Sequence, residues 1–141
     1  MGWVALASAV TFTWLGMVLA ISFLEAPLKF QAPGITVPLG VGIGRLVFRA
    51  LNISEGVLAV VLLVSVLLRP DLVIWPVVAV CVVLAAGALL LRPRMDRRVL
   101  AGRTASTMPR HSLHRWYILL ELIKVVLLVL VGIRLLGILA G

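Results

Sequence analysis

The sequence is poor in the residues on which most soluble chemistry draws. It holds one cysteine, Cys81, two histidines and five acidic residues in 141 positions. A single cysteine excludes an internal disulfide and a cysteine-only metal site, and it leaves the redox compartment unread. Charged residues make up 13% of the chain, about half the share of an ordinary soluble domain. With 63% hydrophobic residues and a mean hydropathy of +1.23, that scarcity excludes a water-soluble enzyme, a disulfide-stapled secreted module and a disordered chain. A membrane-crossing helix needs about 20 apolar residues, and this composition accommodates four such helices with little left over.

The charge that is present is unevenly signed and placed. Thirteen basic residues against five acidic ones give a net charge of +8. Arg92, Arg94, Arg97, Arg98, Arg103 and Arg110 fall in one polar stretch offset by Asp96 alone. No aromatic-interleaved basic surface or reader motif accompanies the run, so no nucleic acid is expected as a partner. Beside long apolar segments it reads as a juxtamembrane loop, at about 92–112, held in the cytoplasm. Arg92, Arg94, Arg97, Arg98 and Arg103 would there contact anionic lipid headgroups.

Four apolar segments divide the chain. The first, from about Trp3 to Leu24, carries no charge. Ala20-Ile21-Ser22 imitates a cleavage site, but the run is too long and lacks a basic start, so it reads as a retained helix rather than a signal peptide. A connector follows from Ala26 to Gly40, where Pro27, Pro33, Gly34 and Pro38 are expected to break any helix. Thr36 ahead of Pro38 signals the start of a second helix reaching about Leu68. Its uncharged end, Gly56 to Leu68, is too short to span alone, so the span must take in Glu55, Asn52 and Arg49. Asn52-x-x-Glu55 could also cap a helix starting there, but no breaker precedes it after Gly44. After a turn at Arg69-Pro70-Asp71, a third segment runs from Leu72 to Leu91, and a fourth helix from about Leu113 to Leu139. The fold expected is an all-α, integral membrane bundle of four transmembrane helices forming a single domain over residues 1–141. Basic residues concentrate at one end of that bundle. The positive-inside rule then puts the 92–112 loop in the cytoplasm and both termini outside the cytoplasmic (inner) membrane. Trp3, Trp75 and Trp116 fall near span ends, where indoles favour the headgroup boundary.

Charges inside apolar helices mark the candidate site. Arg45, Arg49, Asn52 and Glu55 occupy an arc of about 120° on the second helix, and His114, Tyr117, Glu121 and Lys124 about 80° on the fourth. On the first helix Thr11, Ser22 and Glu25 share a face with Trp14 and Val18. The third helix has no polar face, so it is expected to meet lipid or another copy in a homodimer. A charge at mid-membrane costs at least about 2.5–3.5 kcal/mol on insertion scales, so these groups should turn inward and pair. The sharpest expectation is a direct or single-water contact between Glu121 and Arg49 or Arg45, with Glu25 or Glu55 completing the network. Snorkelling is the plainer account of Lys29, Arg45 and Arg115. The outer half offers only Ser8, Thr11, Thr13 and Ser65 before Arg134, which suggests a cytosol-open cavity above a dry plug.

Other motifs carry less. Gly40-x-Gly42-x-Gly44 lacks the strand and the spacing of a dinucleotide loop. Gly40 to Gly44 and Gly137 to Gly141 each spell GxxxG, a close-packing face. The sequon at Asn52-Ile53-Ser54 lies where no transferase could reach it. His111 and His114 on one helix fall short of a metal site, and no second histidine is placed for haem, so no cofactor and no metal are expected.

The residues Ser22-Phe23-Leu24-Glu25-Ala26-Pro27-Leu28-Lys29-Phe30, then Ala32-Pro33-Gly34, then Gly44-Arg45-Leu46-Val47-Phe48 with Ala50-Leu51-Asn52, resemble a family of small bacterial four-helix membrane proteins. A more distant resemblance is to a domain-of-unknown-function family whose first helix ends in Ala-Pro-x-x-Phe and whose last begins near a histidine. These likenesses imply a membrane bundle and no particular activity. From the residues themselves the leading expectation is binding or transport of a small solute, anionic or proton-coupled. Its cavity would be lined by Glu25, Arg45, Arg49, Asn52, Glu55, His114, Tyr117, Glu121 and Lys124. The alternative is an accessory or scaffold subunit whose charge cluster is structural. A membrane-embedded enzyme ranks third, because no nucleophile–base pair or metal-ligand spacing identifies a reaction.

Overall fold

The computed structural model describes residues 2–69, 72, 74–100 and 112–141. The chain is all-α, with four packed helices that are each long and apolar enough to cross a membrane. Helix α1 runs through Gly2–Val18, a π-helical segment Leu19–Glu25, one further turn Ala26–Leu28 and a 3-10 turn Lys29–Gln31. Helix α2 is Val37–Leu67. Helix α3 joins Ile74–Ala86, a second π segment Gly87–Leu91, and Arg92–Leu100. Helix α4 is Ser112–Ala140.

The continuous second helix is present as expected, and Thr36 caps it by accepting the Leu39 amide at 3.3 Å, with Pro38 in the first turn. The connector before it is shorter than the proline count suggested. Pro27 does not end α1. Proline has no amide to give the preceding turn and its ring crowds a carbonyl there. Here the turn before it is widened, the Ala26 amide bonding the Ile21 carbonyl five residues back, and the helix continues. The chain reverses instead at Ala32–Ile35, where the Ile35 amide bonds the Ala32 carbonyl at 3.2 Å. Gly34 sits at φ +78°, the left-handed position that follows proline in a type II turn.

The third helix also passes its expected end at Leu91. A proline, Pro93, again lies two residues beyond a π segment, and the Arg92 amide bonds the Gly87 carbonyl. Residues 92–100, read as part of a loop, are therefore helical. His111, Arg103 and Arg110 lie outside the described residues.

Packing separates the bundle into two halves along its length. The half nearer the chain ends is apolar, with Val4, Leu62, Val66, Val77, Val80, Leu128 and Leu135 meeting in one core. Its few hydroxyls are satisfied within their own helices, Ser8, Thr11 and Ser65 each donating to the carbonyl four residues back. No polar path crosses that core among the described residues. Exposed Trp3 and Trp75 at this end, and Trp116 at the other, fit indoles at membrane boundaries.

At the basic end α1 and α2 approach closely. A Cβ on Gly44 would stand 2.6 Å from the Lys29 ammonium, and one on Gly40 would run into the Phe30 ring. This GxxxG pair seats the end of α1 within the same chain. Gly137 meets nothing within 4 Å, so the second GxxxG is not used in that way.

Candidate functional site

Glu55 lies at the centre of the bundle, fully buried. Its Oε1 accepts from Trp14 Nε1 at 2.8 Å and from Lys124 Nζ at 2.7 Å. Lys124 donates a second bond to Glu121 Oε1 at 2.9 Å, and Ser22 donates to Glu121 Oε2 at 3.0 Å. On the other side of Glu55, the Asn52 amide bridges. In the orientation that satisfies both neighbours, its nitrogen donates to Glu55 Oε2 at 3.2 Å and its oxygen accepts from Arg92 Nε at 3.1 Å. Arg92 Nη2 then donates to Tyr117 Oη at 3.1 Å. The chain of bonds runs from Ser22 to Tyr117 and draws on all four helices.

Charge accounting explains why such a cluster can persist in an apolar bundle. Glu55 and Glu121 share one ammonium, and Arg92, reached through Asn52, supplies the second positive charge. Among the described residues no buried side-chain nitrogen or oxygen lacks a partner. That is the condition under which buried charge is tolerated. Nearby charges are paired as well, Lys29 with Glu25 at 3.4 Å and Arg45 with Asp96 at 3.6 Å.

No direct contact of Glu121 with Arg49 or Arg45 is found among the described residues. Lys124, one turn along the same helix, takes that place. Arg49 is exposed and stands about 120° around the helix from Glu55, at the edge of the arc. Arg45 faces Asp96 on α3. Arg92 corrects the reading in the opposite sense. Expected among headgroups, it turns inward and lies over the rings of Phe48 (4.4 Å to the centroid) and Tyr117 (5.1 Å). The third helix, expected to lack a polar contribution, thus supplies one from just beyond its π segment. Arg94 and Arg97 are exposed, as headgroup contacts would be. The side chains of Arg98 and His114 lie outside the described set. Trp14, Ser22 and Phe48 were missed as site residues. Their sequence signal was the face that Trp14 and Ser22 share with Glu25.

Beside the network is a cavity of about 540 Å³, within the range of roughly 300–1,000 Å³ usual for small-molecule sites. It lies among the basic ends of all four helices. Its charged lining is Lys29, Arg45, Arg92, Asp96 and Glu121, and aromatic rings, among them Phe23, Phe30, Phe48 and Tyr117, supply much of the rest. Glu121 reaches this wall and Glu55 does not. Phe48 and Tyr117 pack edge to face, 5.6 Å between centroids, behind the Arg92 guanidinium. One carboxylate therefore faces the cavity while its partner is sealed in the core. Comparison with protein-family models, curated proteins and solved structures finds no match to this chain.

Proposed function

We propose that this integral membrane protein binds a small anionic solute in the cavity at its basic end and exchanges a proton at Glu121 as it does so, as a carrier would. The observation that carries this reading is the division of labour between the two glutamates on Lys124. The charged lining has three cations and two carboxylates, so protonation of Glu121 raises its net charge from +1 to +2. Lys124 stays paired with Glu55 when Glu121 is neutral, so the proton can come and go without orphaning a buried ammonium. Arg92 and Lys29 supply charge-assisted donors for the anion. The positive-inside rule orients the cavity toward the cytoplasm with both termini outside, and release on the far side would require the apolar half to open.

The test is reconstitution into liposomes, with uptake of chloride, acetate and inorganic phosphate followed beside internal pH. The groups around Glu121 are Ser22 on α1, Tyr117 and Lys124 on its own helix, Glu55 on α2 beyond Lys124, and, across the cavity, Lys29 on α1, Arg45 on α2 and Arg92 and Asp96 on α3. Anion affinity should rise as pH falls, because neutral Glu121 repels the anion less. Glu121→Gln should bind tightly at every pH and move no protons, and Arg92→Gln should bind weakly. Absence of flux and binding, with no cellular effect of Glu55→Gln or Glu121→Gln, would overturn the reading.

One observation favours the second reading, an accessory or scaffold subunit. The network is internally satisfied and needs no ligand to complete it. That role predicts that neutral replacements impair assembly alone and leave no separate binding defect.

A further inference from the structure

Helices α1 and α4 pack closely along Gly2–Val18 and less closely along the π segment, where no residue of Leu19–Glu25 is buried although Ser22 still bonds Glu121. The cavity reaches this segment. Phe23 on α1 and Ile118 on α4 both line it and are 36% and 40% exposed, within helices long and apolar enough to cross a membrane. Lys29 and Arg92 line the same cavity. Lys29 Nζ and Arg92 Cζ lie 5.6 and 4.4 Å from the centroid of the same ring, Phe48 on α2. Arg92 has five N–H donors, and Tyr117 and Asn52 engage two of them among the described residues. The remaining donors and the Lys29 ammonium can hold a phosphate or carboxylate. The cavity thus holds cationic donors and is bordered by two exposed apolar side chains, Phe23 and Ile118, on different helices.

We infer that the ligand is a single-chain anionic amphiphile, an alkyl or acyl chain with a phosphate or carboxylate head, which enters from the membrane between Phe23 and Ile118. The head lies against Arg92 and Lys29, and the chain leaves through the gap between the helices. Exposed Arg94 and Arg97 beside the cavity would enrich anionic headgroups in the adjoining leaflet. The inference rests on the anion-binding reading above and adds the tail and the route.

Titration calorimetry of the full chain in phosphatidylcholine nanodiscs tests it, with protein-free nanodiscs subtracted to remove partitioning. The probes are octyl phosphate, ethyl phosphate and octyltrimethylammonium. Each methylene that leaves water on binding contributes roughly fourfold against free aqueous ligand, so octyl phosphate should bind at least about tenfold more tightly than ethyl phosphate. Arg92→Gln should weaken both phosphates about tenfold or more and leave their ratio unchanged. A diazirine at the end of the octyl chain should label peptides containing Phe23 or Ile118. Equal affinities for octyl and ethyl phosphate, or a label confined to other peptides, would overturn the bilayer route while leaving anion binding intact. Preference for octyltrimethylammonium, or no binding of any probe, would overturn both. The wild-type comparison does not depend on any variant folding.

Discussion

Two carboxylates on one ammonium are not equivalent when one faces a cavity and the other faces only protein. Glu55 takes its bonds from Trp14, Lys124 and Asn52, on three different helices, so its charge ties the bundle together. Glu121 takes its bonds from Lys124 on its own helix and from Ser22. Removing Lys124 strands both carboxylates, and breaking a buried pair from one side costs about 3–5 kcal/mol. Lys124→Met should therefore lower stability by about that amount in detergent unfolding. Glu121→Gln should lower it by no more than about 1 kcal/mol, because Lys124 keeps Glu55 and the amide oxygen can still accept. Trp14→Phe should fall between them, at about 1.5–3 kcal/mol, since it removes a donor to a charged acceptor. If Glu121→Gln proved the most damaging of the three, Glu121 would be the structural anchor and the assignment of roles would reverse.

At the scale of the element, the π segments decide which side chains reach the site. An α-helix turns about 100° per residue, so uninterrupted winding from the buried Leu84 would leave Arg92 about 80° away from the core direction. The extra residue in Gly87–Leu91 takes back about 100° and brings Arg92 close to the line of Leu84. Deleting Ala88 should restore α winding and, with Arg92 then seven residues from Leu84, keep it within about 20° of that line, so anion binding should survive with the four spans retained by circular dichroism. Binding lost to the level of Arg92→Gln in the deletion variant would show that helical winding from Leu84 does not set the direction of Arg92. This rotation is also where the sequence stopped being legible. The four spans, the cap at Thr36 and the inward turn of Glu55, Glu121 and Lys124 follow from hydropathy, capping chemistry and the cost of buried charge. Which cation meets Glu121 does not follow, because Arg45 and Arg49 on the second helix and Lys124 on the fourth all lie on the polar arcs of their helices. Nor does the fate of Arg92 or the path beyond Pro27. A proline reads as a breaker unless the turn before it widens, and no residue pattern in Leu19–Glu25 announces that it does.

For the whole molecule, the asymmetry of charge along the bundle predicts which way the cavity faces. Lys29, Arg45, Arg49, Arg92, Arg94, Arg97 and Arg115 belong to one end, whereas Arg69 and Arg134 belong to the other. Three of the first group, Lys29, Arg45 and Arg92, are engaged by protein groups, which leaves exposed Arg94 and Arg97 among those able to meet headgroups. Positive residues flanking short loops resist translocation, so the basic end should lie in the cytoplasm and both termini outside. Single cysteines introduced at Gly2, Gly141 and Thr104 in a Cys81→Ser background provide the measurement. A membrane-impermeant maleimide should label the first two in intact cells and Thr104→Cys only after permeabilisation. Replacing Arg94 and Arg97 with Gln should add a minority of inverted molecules, because those residues carry the bias without holding the fold. The apolar core from Val4 to Leu135 would then close the outer half, and a bilayer-borne anion would reach Arg92 from the inner leaflet alone. Labelling of the N-terminal cysteine only after permeabilisation would reverse that direction and place the gap between α1 and α4 in the outer leaflet.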